Sequence, residues 1–132
     1  MTVELTYLAY SIALFFVVVM IQAFTGIQNN GGLVMANNRD NLKPPTIMQL
    51  RTKRLTDNYR ENLWLFAPLI LIAAVAGISN QWTVLGAQLF FWSRLAHAVW
   101  YIGGWPLIRP LFWFAGVIAC GMIFFALFGV LV

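Results

Sequence analysis

Residues 5–27 read LTYLAYSIALFFVVVMIQAFTGI, 23 consecutive positions without one charged side chain. A helix of that length rises about 35 Å, enough to cross a bilayer hydrocarbon core of roughly 30 Å. The rest of the chain agrees with this stretch. Of 132 residues, 61% are hydrophobic and only 9% are charged, whereas about a quarter of the residues in a soluble domain are charged. A single short domain of that composition cannot bury its own apolar surface, so lipid has to cover the remainder. The net charge of +4 is no sign of nucleic-acid binding, because that function needs a basic face on a soluble body. Cys120 is the only cysteine and lies in an apolar run, which excludes a disulfide framework and a thiolate metal site and marks it as a small core residue. No basic segment precedes the first apolar run and no small-residue cleavage pattern follows it, so it is expected to stay in the membrane.

Outward from this run, the expected fold class is all-α: an integral membrane four-helix bundle, up-down and antiparallel, in one domain over residues 1–132. The expected spans are about 5–27, 47–78, 82–102 and 109–131. Residues 28–45, QNNGGLVMANNRDNLKPP, are rich in Gly, Asn and Pro and read as a loop. Thr46 or a neighbour starts the second helix, and a tight turn at Ser79-Asn80-Gln81 ends it. Arg94 and His97 interrupt the third span, which Gly103-Gly104-Trp105-Pro106 breaks. Pro110 is a favoured first-turn residue and opens the fourth. Short connections imply antiparallel neighbours.

The cations are unevenly placed. Arg39, Lys43, Arg51, Lys53, Arg54 and Arg60 fall within one stretch of 22 residues, and only Arg94 and Arg109 lie elsewhere. The bias of Lys and Arg toward the cytoplasm therefore puts loops one and three on that side, in the inner or cell membrane if the source is bacterial.

Ionisable residues inside a span are expensive, so they are functional candidates by default. On the second helix, Arg51, Arg54, Asn58 and Glu61 fall within a sector of roughly 80°. On the third, Arg94, His97 and Tyr101 share about 60°. Two such stripes can face each other near the cytoplasmic surface, with Arg109 at the entrance to the fourth helix. Several arginines, one Glu, one Asn and one Tyr suit a small zwitterionic molecule with more than one carboxylate, because guanidinium forks hold carboxylates bidentately. An apolar second partner would enter sideways from the lipid. Plainer roles fit other residues. Lys53 and Arg60 point away from the stripe and read as cations that snorkel to the headgroups. Asp57 reads as their surface ion-pair partner, Arg54 with Glu61 could form a structural pair between helices, and His97 suits packing as well as contact with a ligand.

The run RLTDNYRE at 54–61 resembles the R-x-x-x-N-x-x-E signature of the MAPEG superfamily, membrane-associated proteins in eicosanoid and glutathione metabolism. RLAHAVWYIG at 94–103, followed by Arg109, resembles the second block of its microsomal glutathione transferase and prostaglandin E synthase-like branch, and Asn38-Arg39-Asp40 resembles an N-R-D found in bacterial members. The resemblance implies a homotrimer that binds glutathione as co-substrate between adjacent subunits, with no metal. Carried over, Arg54, Asn58 and Glu61 would bind glutathione from one subunit, with Arg51 adding to the arginine cluster. Arg94, Tyr101 and Arg109 would contact it from the neighbour, and His97 matches a further contact position. The residue matching Arg109 is the one proposed to hold the thiol as thiolate. Pro110 and Trp113 depart from the prostaglandin-isomerase pattern, which carries a hydroxyl and a tyrosine there. Two functions follow as expectations. One is a glutathione-dependent transferase or peroxidase acting on hydrophobic electrophiles, in detoxification or lipid metabolism. The other is a non-catalytic relative that binds a lipid ligand or a partner protein.

Overall fold

The computed structural model describes all 132 residues, and its only regular secondary structure is helix. The helices are α1 (Val3–Asn30), α2 (Gly32–Ala36), α3 (Ile47–Ala76), α4 (Gln81–Gly103) and α5 (Arg109–Leu127). Their ends follow from side chains legible in the sequence. Thr46 caps α3 by accepting from Gln49 N–H, while the Gln49 side chain accepts from the Thr46 N–H. That reciprocal box satisfies two of the four orphan donors at a helix start. Asn80 and Thr83 do the same for α4. Gly77 and Gly104 terminate α3 and α4 in the left-handed region, with φ of 66° and 71°, where a side chain is strained and glycine is not.

One expectation needs correction. Residues 28–45 are not all loop: α1 runs on to Asn30, and after Gly31, at φ 86°, Gly32–Ala36 forms the short helix α2. Gly31, read as a loop signal, marks the helix end within that segment.

The four long helices run up and down. Glu4 near the start of α1 accepts hydrogen bonds from Ser79 Oγ (2.8 Å) and Thr83 Oγ1 (2.6 Å), and Asn80 Nδ2 donates to Leu131 O (3.2 Å). The start of α1, the α3–α4 turn and the C-terminus thus share one end, and the α1–α3 connection shares the other with the α4–α5 connection. α4 packs on α5 and on α1, α3 touches α1, α4 and α5, and α1 does not meet α5.

The core has two centres. One joins Leu8, Phe66, Ile70, Phe90 and Ile123, with Phe66 and Phe90 stacked at 3.8 Å. The other joins Val18, Leu55, Tyr59 and Ala98. Gly86 permits the close α4–α5 approach, since a Cβ there would stand 2.7 Å from Ile123 Cγ1 and 3.0 Å from Ala119 O. Outside these centres the bundle is apolar on its surface: Phe16, Phe24, Trp64, Trp92, Phe114 and Phe125 are all exposed. Helices α1, α3 and α5 are each long and apolar enough to cross a membrane. α4 is 23 residues long but carries Gln88, Ser93, Arg94 and His97 along its length.

Candidate functional site

The polar residues gather where the N-terminal half of α3 meets the C-terminal half of α4 and the start of α5. A pocket of ≈ 330 Å³ there is lined by Arg54 and Asn58 from α3, His97 and Tyr101 from α4, and Arg109, Pro110 and Trp113 from α5. Spacing explains the first four. Positions 54 and 58, like 97 and 101, lie one turn apart and face the same way. Arg109 and Pro110 are the first two residues of α5, so the pocket also touches a helix N-terminus, where the dipole favours an anion.

Arg94 forms the inner wall. It is fully buried, and its Nη1 donates to Asn58 Oδ1 (3.1 Å) and its Nη2 to Phe112 O (2.8 Å). One guanidinium therefore ties α4 to α3 and to α5. Gly116 leaves the room, because a Cβ there would lie 3.1 Å from Arg94 Nη2. Asn62 Nδ2 donates to Asn58 O (2.8 Å), locking the same turn of α3. With its Oδ1 turned to Arg94, the Asn58 carboxamide keeps its N–H groups for a ligand.

Arg109 lies over Tyr101 with its Cζ 4.9 Å from the ring centroid, near enough for cation–π attraction. His97 is buried, and its ring centroid is 5.6 Å from that of Tyr101. No carboxylate lines the pocket. The chain's ion pairs, Lys53–Asp57 (2.7 Å) and Arg60–Asp57 (3.5 Å), sit elsewhere on α3. Arg54 and Arg109 are thus cations without an acidic partner, next to buried Arg94. Such a cluster is suited to taking an anion from outside.

Five of the expected site residues, Arg54, Asn58, His97, Tyr101 and Arg109, line this one pocket, and Arg94 stands directly behind it. The resemblance implied that these residues come from two adjacent subunits. Arg94, Tyr101 and Arg109 stand beside Arg54 and Asn58 in the same chain, because α3 and α4 pack side by side and Arg94 bonds to Asn58 across them. Arg51 and Glu61 lie outside the pocket. The Arg51 guanidinium packs on Gly104, where a Cβ would be 2.6 Å from its Nη1, and Glu61 is exposed without a hydrogen-bond partner in the chain.

Asn62, Phe112 O and Gly116 support the site and have no signature in the sequence; the one hint was a glycine within an apolar run. Trp113, which the sequence marked only as a departure, lines the pocket. Cys120 is buried against α4, as its apolar surroundings suggest. No three His, Cys, Asp or Glu side chains come together as a metal-ligating group.

Compared with known proteins, residues 5–129 match a family model described as the MAPEG family. No curated protein and no solved structure matches the chain.

Proposed function

From a chain that belongs to the MAPEG family, and is therefore a membrane protein of the glutathione and eicosanoid kind, we propose a glutathione-dependent transferase or peroxidase that acts on hydrophobic electrophiles at the membrane. The observation that carries this reading is the acid-free pocket in which Arg54, Asn58, His97, Tyr101 and Arg109 converge at the start of α5. Glutathione has two carboxylates, one ammonium and a thiol. Arg54 and the Asn58 amide suit a carboxylate and a peptide carbonyl. Tyr101 donates or accepts next to them. Glu61 and Arg51, which a single chain leaves outside the pocket, reach the tripeptide only where a neighbouring subunit of the proposed homotrimer brings them close.

Arg109 is the catalytic residue of this proposal. A free thiol has a pKa near 8.5, and a cation close by lowers such a value by roughly 1–3 units. The helix N-terminus adds to the same field. Arginine stays protonated, so the thiol proton leaves to water and Arg109 acts as an electrostatic stabiliser. In the transferase reaction the thiolate electron pair forms the new C–S bond while the leaving group departs with the electrons of the bond that breaks. Water is scarce on the bilayer side, which favours encounter with an apolar electrophile. Pro110 and Trp113 stand where a prostaglandin isomerase would carry a hydroxyl and a tyrosine, which favours conjugation or peroxide reduction over isomerisation.

The test uses protein purified in detergent. Glutathione should bind, show thiolate absorbance at neutral pH and be conjugated to an apolar aryl halide. Absence of both binding and thiolate overturns the proposal.

A further inference from the structure

The largest cavity in the chain lies apart from the Arg54–Arg109 pocket. It has a volume of ≈ 600 Å³ and sits between the last turns of α1, the short α2 and the first turns of α3. Val19, Ala23, Ile27 and Leu50 give it apolar walls; Arg39 and Lys53 provide cations, and no carboxylate lines it.

The polar groups at this cleft are left free by their own bonds. Gln49 accepts through Oε1 from Asn29 Nδ2 (2.7 Å) and from the Thr46 N–H (2.9 Å). Its Nε2 is left to donate, 3.8 Å from where a Gly26 Cβ would stand. Arg39 holds a left-handed backbone, φ 62°, and its Nε donates to Met35 O (2.8 Å), so the side chain folds back along α2. Its two Nη groups have no partner in the chain. A non-glycine residue held in that region is strained, and strain of this kind collects at ligand clamps. Lys53 shares the single carboxylate of Asp57 with Arg60, which leaves a surplus positive charge on that face.

A second, separate groove lies further along the same face of α3, beyond the Lys53–Asp57–Arg60 ion pairs. On α3, positions 53, 57, 60, 64, 67 and 71 recur at alternating spacings of four and three, and they fall within a sector of about 80°. Along that stripe this groove of ≈ 370 Å³ runs beside α1, with Arg60 at its polar end and Phe15, Leu63, Trp64 and Leu71 in its walls. From Lys53 to Leu71 is about 27 Å along the helix, enough to accommodate an acyl chain.

We propose that the α1–α3 seam binds one anionic phospholipid, with its phosphate between Arg39 and Lys53 and an acyl chain along the stripe to Leu71. Charge and shape both point to this occupant. A free anion would not use the apolar groove. A second copy of this chain offers no acidic patch to set against these cations, since Glu4 lies at the far end of the bundle and Asp57 is already paired.

The experiment titrates delipidated protein in detergent with dioleoyl phosphatidylglycerol or dioleoyl phosphatidylcholine and counts bound lipid by native mass spectrometry. One phosphatidylglycerol per chain is expected. Two cations near a lipid surface should favour the anionic lipid by about 10–30-fold, and the Arg39→Ala/Lys53→Ala double variant should abolish that preference. Both side chains are exposed, so the unfolding temperature should not move; if the variant fails to fold, the wild-type preference decides alone. Ala67→Trp, which fills the apolar groove, should weaken phosphatidylglycerol binding as well. Equal binding of the two lipids, or a double variant that keeps its preference, overturns the proposal. So does displacement of the lipid by millimolar inorganic phosphate, which would make the cleft a soluble-anion site. Displacement by glutathione also overturns it, since the cleft would then be part of the glutathione site.

Discussion

Replacing Arg94 by methionine separates a positioning role from a binding one. Arg94 is fully buried and outside the pocket lining, yet it fixes Asn58, which lines it. Methionine keeps most of the stem volume and removes a buried cation whose Nε has no partner. Phe112 O sits in α5 and loses only an additional donor, and Asn58 Oδ1 keeps its longer bond from Asn62 Nδ2 (3.4 Å), so neither acceptor is orphaned. Losing a hydrogen bond from a charged donor costs about 1.5–3 kcal/mol, partly offset here because the charge no longer has to be desolvated. Stability should fall by about 1–2 kcal/mol. Glutathione affinity should fall further. A freed Asn58 amide loses a bond to a carboxylate or carbonyl, about 1.5–3 kcal/mol, or roughly 10–100-fold in Kd. The assay is a double-mutant cycle read by calorimetric titration in detergent, with Arg94→Met, Asn58→Ala and the pair. If Arg94 acts through Asn58, the pair should bind glutathione about as weakly as Asn58→Ala alone. Additive losses, or a wild-type Kd for Arg94→Met, would refute the reasoning.

Other perturbations test separate parts of the structure. Arg109→Ala should leave the thiol near its free pKa of about 8.5, so conjugation at pH 7 should fall by roughly 10–100-fold and recover as pH rises through that value, as read from the pH profile of kcat/KM. A uniform loss at every pH would argue against thiolate stabilisation. Glu4→Ala removes the acceptor that joins α1 to Ser79 and Thr83 at the far end of the bundle, and should lower unfolding stability by about 2 kcal/mol without changing glutathione affinity. Gly86→Val drives a side chain into Ile123 and the Ala119 carbonyl, so the α4–α5 pair should open at a cost of about 1–3 kcal/mol, visible as a lower unfolding temperature.

The sequence alone determined the local structure of this protein. A charge-free run at residues 5–27 requires a lipid-embedded helix. Thr46, Asn80, Gly77 and Gly104 set helix ends through bonds and dihedrals that act within a few residues. The grouping of Arg54 with Asn58, and of His97 with Tyr101, follows from 3.6 residues per turn and needs no partner helix. The reading of residues 28–45 as loop overlooked α2, because five residues carry too little periodicity to register.

Only the tertiary structure decided which of those stripes meet. Helical periodicity gives each residue an angle about its own axis but says nothing of how one helix is rotated or slid against the next. Packing sets that. Gly116 makes room for Arg94, and Arg94 then reaches Asn58 and Phe112 O, which places Arg109 and Trp113 at the same pocket. The same packing leaves Arg51 against Gly104 and Glu61 facing outward, although both share a sector with Arg54 on paper. It also aligns Lys53, Arg60 and Leu71 with α1 along a single seam. Local bonds are short-ranged and can be read residue by residue, whereas the relative placement of helices depends on the summed shape of side chains far apart in the chain.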